Sequence, residues 1–80
     1  MQQEIIKILA EVKQDPSLAS RVTGSSHLVD DLNLDSLQMI DLILKVQDKF
    51  SVVVDFDSFQ VEHLSSLDRF TQYVSELPRA

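Results

Sequence analysis

Three groups of residues have side chains of types that could do chemistry. Asp30, Asp31 and Asp35 form one acidic cluster, and Asp55, Asp57 and Glu62 form another. Paired carboxylates hold divalent cations or act as acid and base. The calcium-loop spacing is missing, however, and no glycine sits where such a loop must turn. A solvated acidic face is the reading this spacing favours. His27 and His63 lie far apart and neither belongs to a metal-ligand pair, so no metal site is expected. The third group is Asp35-Ser36-Leu37. On the plain reading, Asp35 caps a helix and Ser36 is an ordinary first-turn residue. Yet Ser36 follows a long connection and opens a helix, which puts its hydroxyl at the positive end of the helix dipole. A phosphate ester is stabilised there. The chain has no cysteine, so it has no catalytic thiol of its own. A reactive group at Ser36 would have to be attached from outside.

The elements that must position these residues read as helices. Ile5, Ile6, Leu9 and Val12 recur at helical spacing and predict a helix over residues 3–14, ended by Asp15-Pro16. A connection follows from about Pro16 to Leu34, rich in Ser17, Ser20, Thr23, Gly24, Ser25 and Ser26. Leu18, Val22, Leu28, Val29 and Leu32 are expected to pin it to the core. The second helix is predicted from Asp35-Ser36 to Phe50, with Asp35 as N-cap and Gln38 completing a capping box. Met39, Leu42, Ile43, Val46 and Phe50 form a core stripe. Leu37, Ile40 and Leu44, interleaved with Asp41 and Asp48, form a second apolar edge that one small core does not need.

Ser51–Asp55 is β-prone, but nothing else in the chain offers it a partner, so an extended connector is expected. A short helical turn is predicted over Asp57–Val61, with Phe56 and Phe59 inward. The last helix is predicted over Ser66–Glu76, capped by Ser65 or Ser66 and stopped by Pro78. The expected fold is all-α: a small four-helix bundle of three main helices and a short third one, with a long first loop.

Composition narrows the function further. Eighty residues make one domain, spanning 1–80, with one small core and no room for a deep cleft between lobes. Thirteen acidic side chains oppose seven basic ones, for a formal charge of −6. Nucleic acid is therefore not an expected ligand, since phosphates must be met by a surplus of Lys and Arg. A single glycine excludes the glycine-rich nucleotide loops. No apolar run is long enough to span a membrane, and the N-terminus does not read as a secretion signal. The expected location is cytoplasmic.

The run Asp31-Leu32-Asn33-Leu34-Asp35-Ser36-Leu37, followed by Met39-Ile40-Asp41-Leu42-Ile43 and ending at Phe50, resembles the acyl carrier protein family. The resemblance extends to length, acidity, loop position and the final helix. The tripeptide alone is a short signal, and its helix context makes it specific. The resemblance implies that Ser36 accepts 4'-phosphopantetheine from coenzyme A through a phosphopantetheinyl transferase, flanked by Asp35 and Leu37. It implies a carrier that is not itself an enzyme, a monomer that delivers acyl thioesters to acyl-transferring and acyl-modifying enzymes. The pathway would be fatty-acid or specialised lipid or polyketide biosynthesis. An aminoacyl or peptidyl carrier is the alternative within the class, and a small helical adaptor without a prosthetic group is the alternative outside it.

Leu37, Ile40, Asp41, Leu44 and Asp48 would then form a docking face, an apolar centre with charged flanks. Three features depart from the family's habit. Asn33-Leu34 stands where a glycine often does, Gln38 where an acid is common, and Lys45-Val46-Gln47-Asp48-Lys49 where glutamates are frequent. From Asp35 to Lys49 the helix carries three acidic and two basic residues, which points to a partner set of its own. Phe56 and Phe59 add bulk near the short third helix and predict a closed interior there before any cargo is loaded.

Overall fold

The computed structural model describes all residues, Met1–Ala80. Three α-helices carry the fold: α1 (Gln2–Lys13), α2 (Ser36–Phe50) and α3 (Leu67–Ser75). Two 3-10 segments, Pro16–Ser20 and Val61–Leu64, sit in the connections. The all-α expectation holds.

The helix α1 forms because Ile5, Ile8, Leu9 and Val12 share one buried face. Ile6, expected in that stripe, is only half-buried, and Ile8 takes the deeper place. Gln14 ends the helix in the left-handed region, with φ of 52°. Ser51 does the same after α2, with φ of 53°. Glycine usually supplies this turn, but the single glycine is used elsewhere. Asp15 is extended, as a residue before proline must be, and caps the first 3-10 segment through the Ser17 N–H. The hydroxyl of Ser17, at 2.7 Å, is the main cause that holds the Asp15 carboxyl below its ordinary range, with the Ser17 N–H and Arg21 assisting. Its contribution to stability is therefore present above the ordinary carboxylate range and is lost as pH falls through the lowered value.

The long connection is stitched down rather than loose. Leu18, Leu28, Leu32 and Leu34 are buried in the core, with Val22 and Val29 packed against it. Its carbonyls also serve the start of α3. Ser26 accepts from the Leu67 N–H at 2.9 Å, and Gly24 accepts from the Asp68 N–H at 2.8 Å. Two of the N–H groups that a helix start leaves unsatisfied are met in this way. The approach is so close that a Cβ at Gly24 would lie 2.5 Å from Asp68 Oδ1. The Leu28 N–H donates to the Leu64 carbonyl at 3.0 Å, tying the connection to the second 3-10 segment.

Beyond α2 the structure corrects three expectations. The β-prone stretch does find a partner. Val52 pairs with Arg79 in an isolated antiparallel bridge, Val53 N–H donates to Pro78, and Ala80 N–H donates to Ser51. A C-terminal tail that runs back past Pro78 is not visible in local periodicity. The short helical turn is a 3-10 segment at Val61–Leu64, later than predicted, because Asp55 caps a tight turn through the Asp57 N–H and uses those residues up. Phe56 consequently points outward and is 55% exposed, while Phe59 is half-buried.

The helix α3 starts at the Ser66 cap, which accepts from the Arg69 N–H, and buries Leu67, Phe70, Tyr73 and Val74. Tyr73 stacks on His63 at 4.1 Å and tilts against Phe59 at 5.5 Å. Its hydroxyl is buried without a hydrogen-bond partner. Burial pushes the phenol above its ordinary value of 10.0, and the Asp55 carboxylate adds to the shift. The neutral ring's contribution is present below that value and is lost as pH rises through the raised one. Tyr73 is the sole tyrosine, so its ultraviolet absorbance reports it alone. In the folded protein phenolate should appear only above pH 10.0. A midpoint at or below 10.0 in folded protein would contradict this burial.

Candidate functional site

The residues around Ser36 are fixed one by one. Leu34 is buried and anchors the chain just before the motif. Asn33 takes φ of 56°, the left-handed region that asparagine tolerates better than most residues. Its N–H donates to the Val29 carbonyl at 2.9 Å. Asparagine thus makes the turn into the motif without a glycine. Asp35 is extended, and its Oδ1 accepts from the Gln38 N–H at 2.8 Å. Gln38 answers with Oε1, which accepts from the Asp35 N–H at 3.2 Å. The predicted capping box is present in full.

That reciprocal cap relieves Ser36 of structural duty. Ser36 is the first residue of α2 and is exposed. Most other serines are occupied locally: Ser66 caps α3, Ser26 caps the turn at Thr23, and Ser17, Ser20, Ser58 and Ser75 bond nearby side-chain or backbone oxygens. The Ser36 hydroxyl therefore stands at the positive end of a 15-residue helix, open to an incoming group. A phosphate ester there would meet the first-turn N–H groups that the box does not use. The residues present fit a phosphate-linked arm.

The second apolar edge is real and faces outward. Leu37 is 78% exposed, Ile40 48% and Leu44 52%. The core-facing stripe buries Leu42, Ile43 and Val46, with Met39 and Phe50 half-buried, so the two edges part as the spacing predicts. Asp41 and Asp48 are exposed along the same edge. Asp48 also borders a cleft of about 310 Å³ between α1 and α2, lined by Glu4, Lys7, Ile8, Glu11, Lys45 and Lys49. A second cleft of about 300 Å³ lies between the end of α2 and the C-terminus. Neither reaches Ser36, and neither is lined by a residue of Val61–Leu64; Leu42, Val46 and Leu64 are fully buried.

The histidines are structural. His27 Nδ1 accepts from the Val29 and Asp30 N–H groups, and His63 Nδ1 accepts from the Gln60 N–H. The two acidic clusters gather no set of three ligands for a metal. One contributor escaped sequence reasoning. Lys13, at the end of α1, donates to the Asn33 carbonyl at 3.1 Å and to Gln38 Oε1 at 3.2 Å. Its partners are 20 and 25 residues away, and no local pattern marks them.

A family model described as a phosphopantetheine attachment site matches residues 3–74. The chain belongs to the acyl carrier protein family. It is 32% identical over 77 residues to an acyl carrier protein of Thermobifida fusca, covering 94% of this chain and 95% of that one. It is 33% identical over 57 residues to an acyl carrier protein of Thermotoga maritima, covering 71% and 68%. A meromycolate extension acyl carrier protein of Mycolicibacterium aurum is 40% identical over 55 residues, covering 66% of this chain and 57% of that one. Members of this family are carriers rather than catalysts, and their cofactor is phosphopantetheine. That group supplies the thiol that this cysteine-free chain lacks. No helix is long and apolar enough to cross a membrane.

Proposed function

We propose that Ser36 accepts the 4'-phosphopantetheine arm from a phosphopantetheinyl transferase, with Asp35 and Leu37 framing the attachment point. The chain then carries acyl groups as thioesters to enzymes of fatty-acid or specialised lipid or polyketide biosynthesis. The observation that carries this reading is the exposed serine at the first position of α2, freed from capping by Asp35 and Gln38. Relatives named as acyl carriers favour acyl over aminoacyl cargo. A flexible tether raises the effective concentration of cargo at each docked enzyme. Intact mass after incubation with coenzyme A and a phosphopantetheinyl transferase tests the proposal. A carrier gains the mass of one arm, and an adaptor gains nothing.

Docking falls to Leu37, Ile40 and Leu44 with Asp41 and Asp48. Three exposed apolar side chains make a patch too small for the standard stable interface, which suits a monomer in the cytoplasm with transient partners. Acids at the rim steer encounters with basic partner surfaces. Reversing both Asp41 and Asp48 to Lys should slow association with the transferase by about threefold or more at low salt. The melting temperature should barely move, since exposed charges contribute about 0–1 kcal/mol. Unchanged association kinetics at low salt would count against this face. The full burial of Leu42, Val46 and Leu64, with Phe59 packed against the same core, supports a preference for short or polar cargo.

A further inference from the structure

We propose that Lys13 is a positioning residue for the attachment turn. This rests on the assignment of Ser36 as the attachment point. An ammonium has three donors, and Lys13 directs two of them to either side of the motif. One goes to the Asn33 carbonyl at 3.1 Å, before Ser36. The other goes to Gln38 Oε1 at 3.2 Å, after it. Between these points the chain must turn out of the left-handed Asn33, bury Leu34, extend through Asp35 and begin a helix.

Gln38 Oε1 is the acceptor that closes the capping box on the Asp35 N–H. Lys13 takes the other lone pair of the same oxygen, so it fixes the orientation of the group that fixes the cap. The bracket is anchored in α1, whose buried face locks its last turn to the core through Val12. Without Lys13, the turn keeps its local cap and the buried Leu34 but loses its polar tie to α1. The Ser36 hydroxyl then samples more orientations, and fewer of them suit a transferase that must bring a phosphate to one oxygen.

The test compares Lys13→Met, which keeps the stem and removes the donors, with Lys13→Arg, which keeps donors and charge. Amide chemical shifts and hydrogen exchange of the free protein are read first. Lys13→Met should shift Asp35, Ser36 and Gln38 amides and speed exchange at Asp35, leaving α3 amides in place. Modification by the transferase should then lose about threefold to tenfold in kcat/KM, the scale of one or two hydrogen bonds. Lys13→Arg should restore most of that loss. Gln38→Ala should reproduce part of the loss, and the double variant should be less than additive.

Unchanged kinetics in Lys13→Met would overturn the proposal. So would a kinetic loss without any change in the free protein's motif amides, because Lys13 would then touch the transferase directly. A failure of the wild-type protein to be modified would refute the Ser36 assignment instead. In that case the amide shifts still report whether Lys13 holds the turn.

Discussion

Ser36→Ala is expected to abolish attachment of the arm while leaving folding stability within about 0.5 kcal/mol of wild type. Both halves follow from the geometry of the turn. The capping box is made by Asp35 and Gln38, so the Ser36 hydroxyl contributes no cap. Alanine is a better helix former than serine, which offsets any small loss at an exposed first-turn position. The control is Asp35→Ala. It removes the cap and should cost about 0.5–2 kcal/mol of stability, and the arm should still attach, more slowly. Modification that persists in the Ser36→Ala protein would refute the assignment. A large drop in its melting temperature would show that the hydroxyl holds structure after all.

Leu28→Ala is expected to cost about 2–5 kcal/mol, a large share of the roughly 5–15 kcal/mol that stabilises a domain. Leu28 lies in the long connection, yet it is fully buried, and its N–H is bonded across to Leu64. Truncation leaves a cavity where the connection meets the core. Leu37→Ala is the counterpart, one residue from the proposed attachment serine. Its side chain is mostly in solvent, so the change should stay within about 0.5 kcal/mol. Equilibrium unfolding in urea checks both. Similar losses in the two variants would contradict the division between buried core and outward edge.

That division was legible in the sequence because it rests on periodicity within one helix. Leu42, Ile43 and Val46 fall on one arc of α2 and Leu37, Ile40 and Leu44 on another, and the structure buries the first and exposes the second. The capping box was legible for the same reason, since Asp35 and Gln38 are three residues apart. Contacts set by distant residues were not. The strand-like pairing of Val52 depends on Arg79. The order in the long connection depends on donors at Leu28, Leu67 and Asp68 and their acceptors at Leu64, Ser26 and Gly24. The Lys13 bracket depends on a helix end that only the tertiary fold brings to the motif. Phe56 misled because an aromatic residue beside a predicted turn reads as core, and only the turn made at Asp55 sends it outward.

Mass spectrometry of the protein from its native host, with fragmentation to the modified residue, decides whether Ser36 carries the arm. One measurement reads the arm, its position and its cargo together. A single phosphopantetheinyl group on Ser36 is expected, part of it bearing an acyl thioester released by hydroxylamine. An arm on any other residue, or a chain that never carries one, would contradict it.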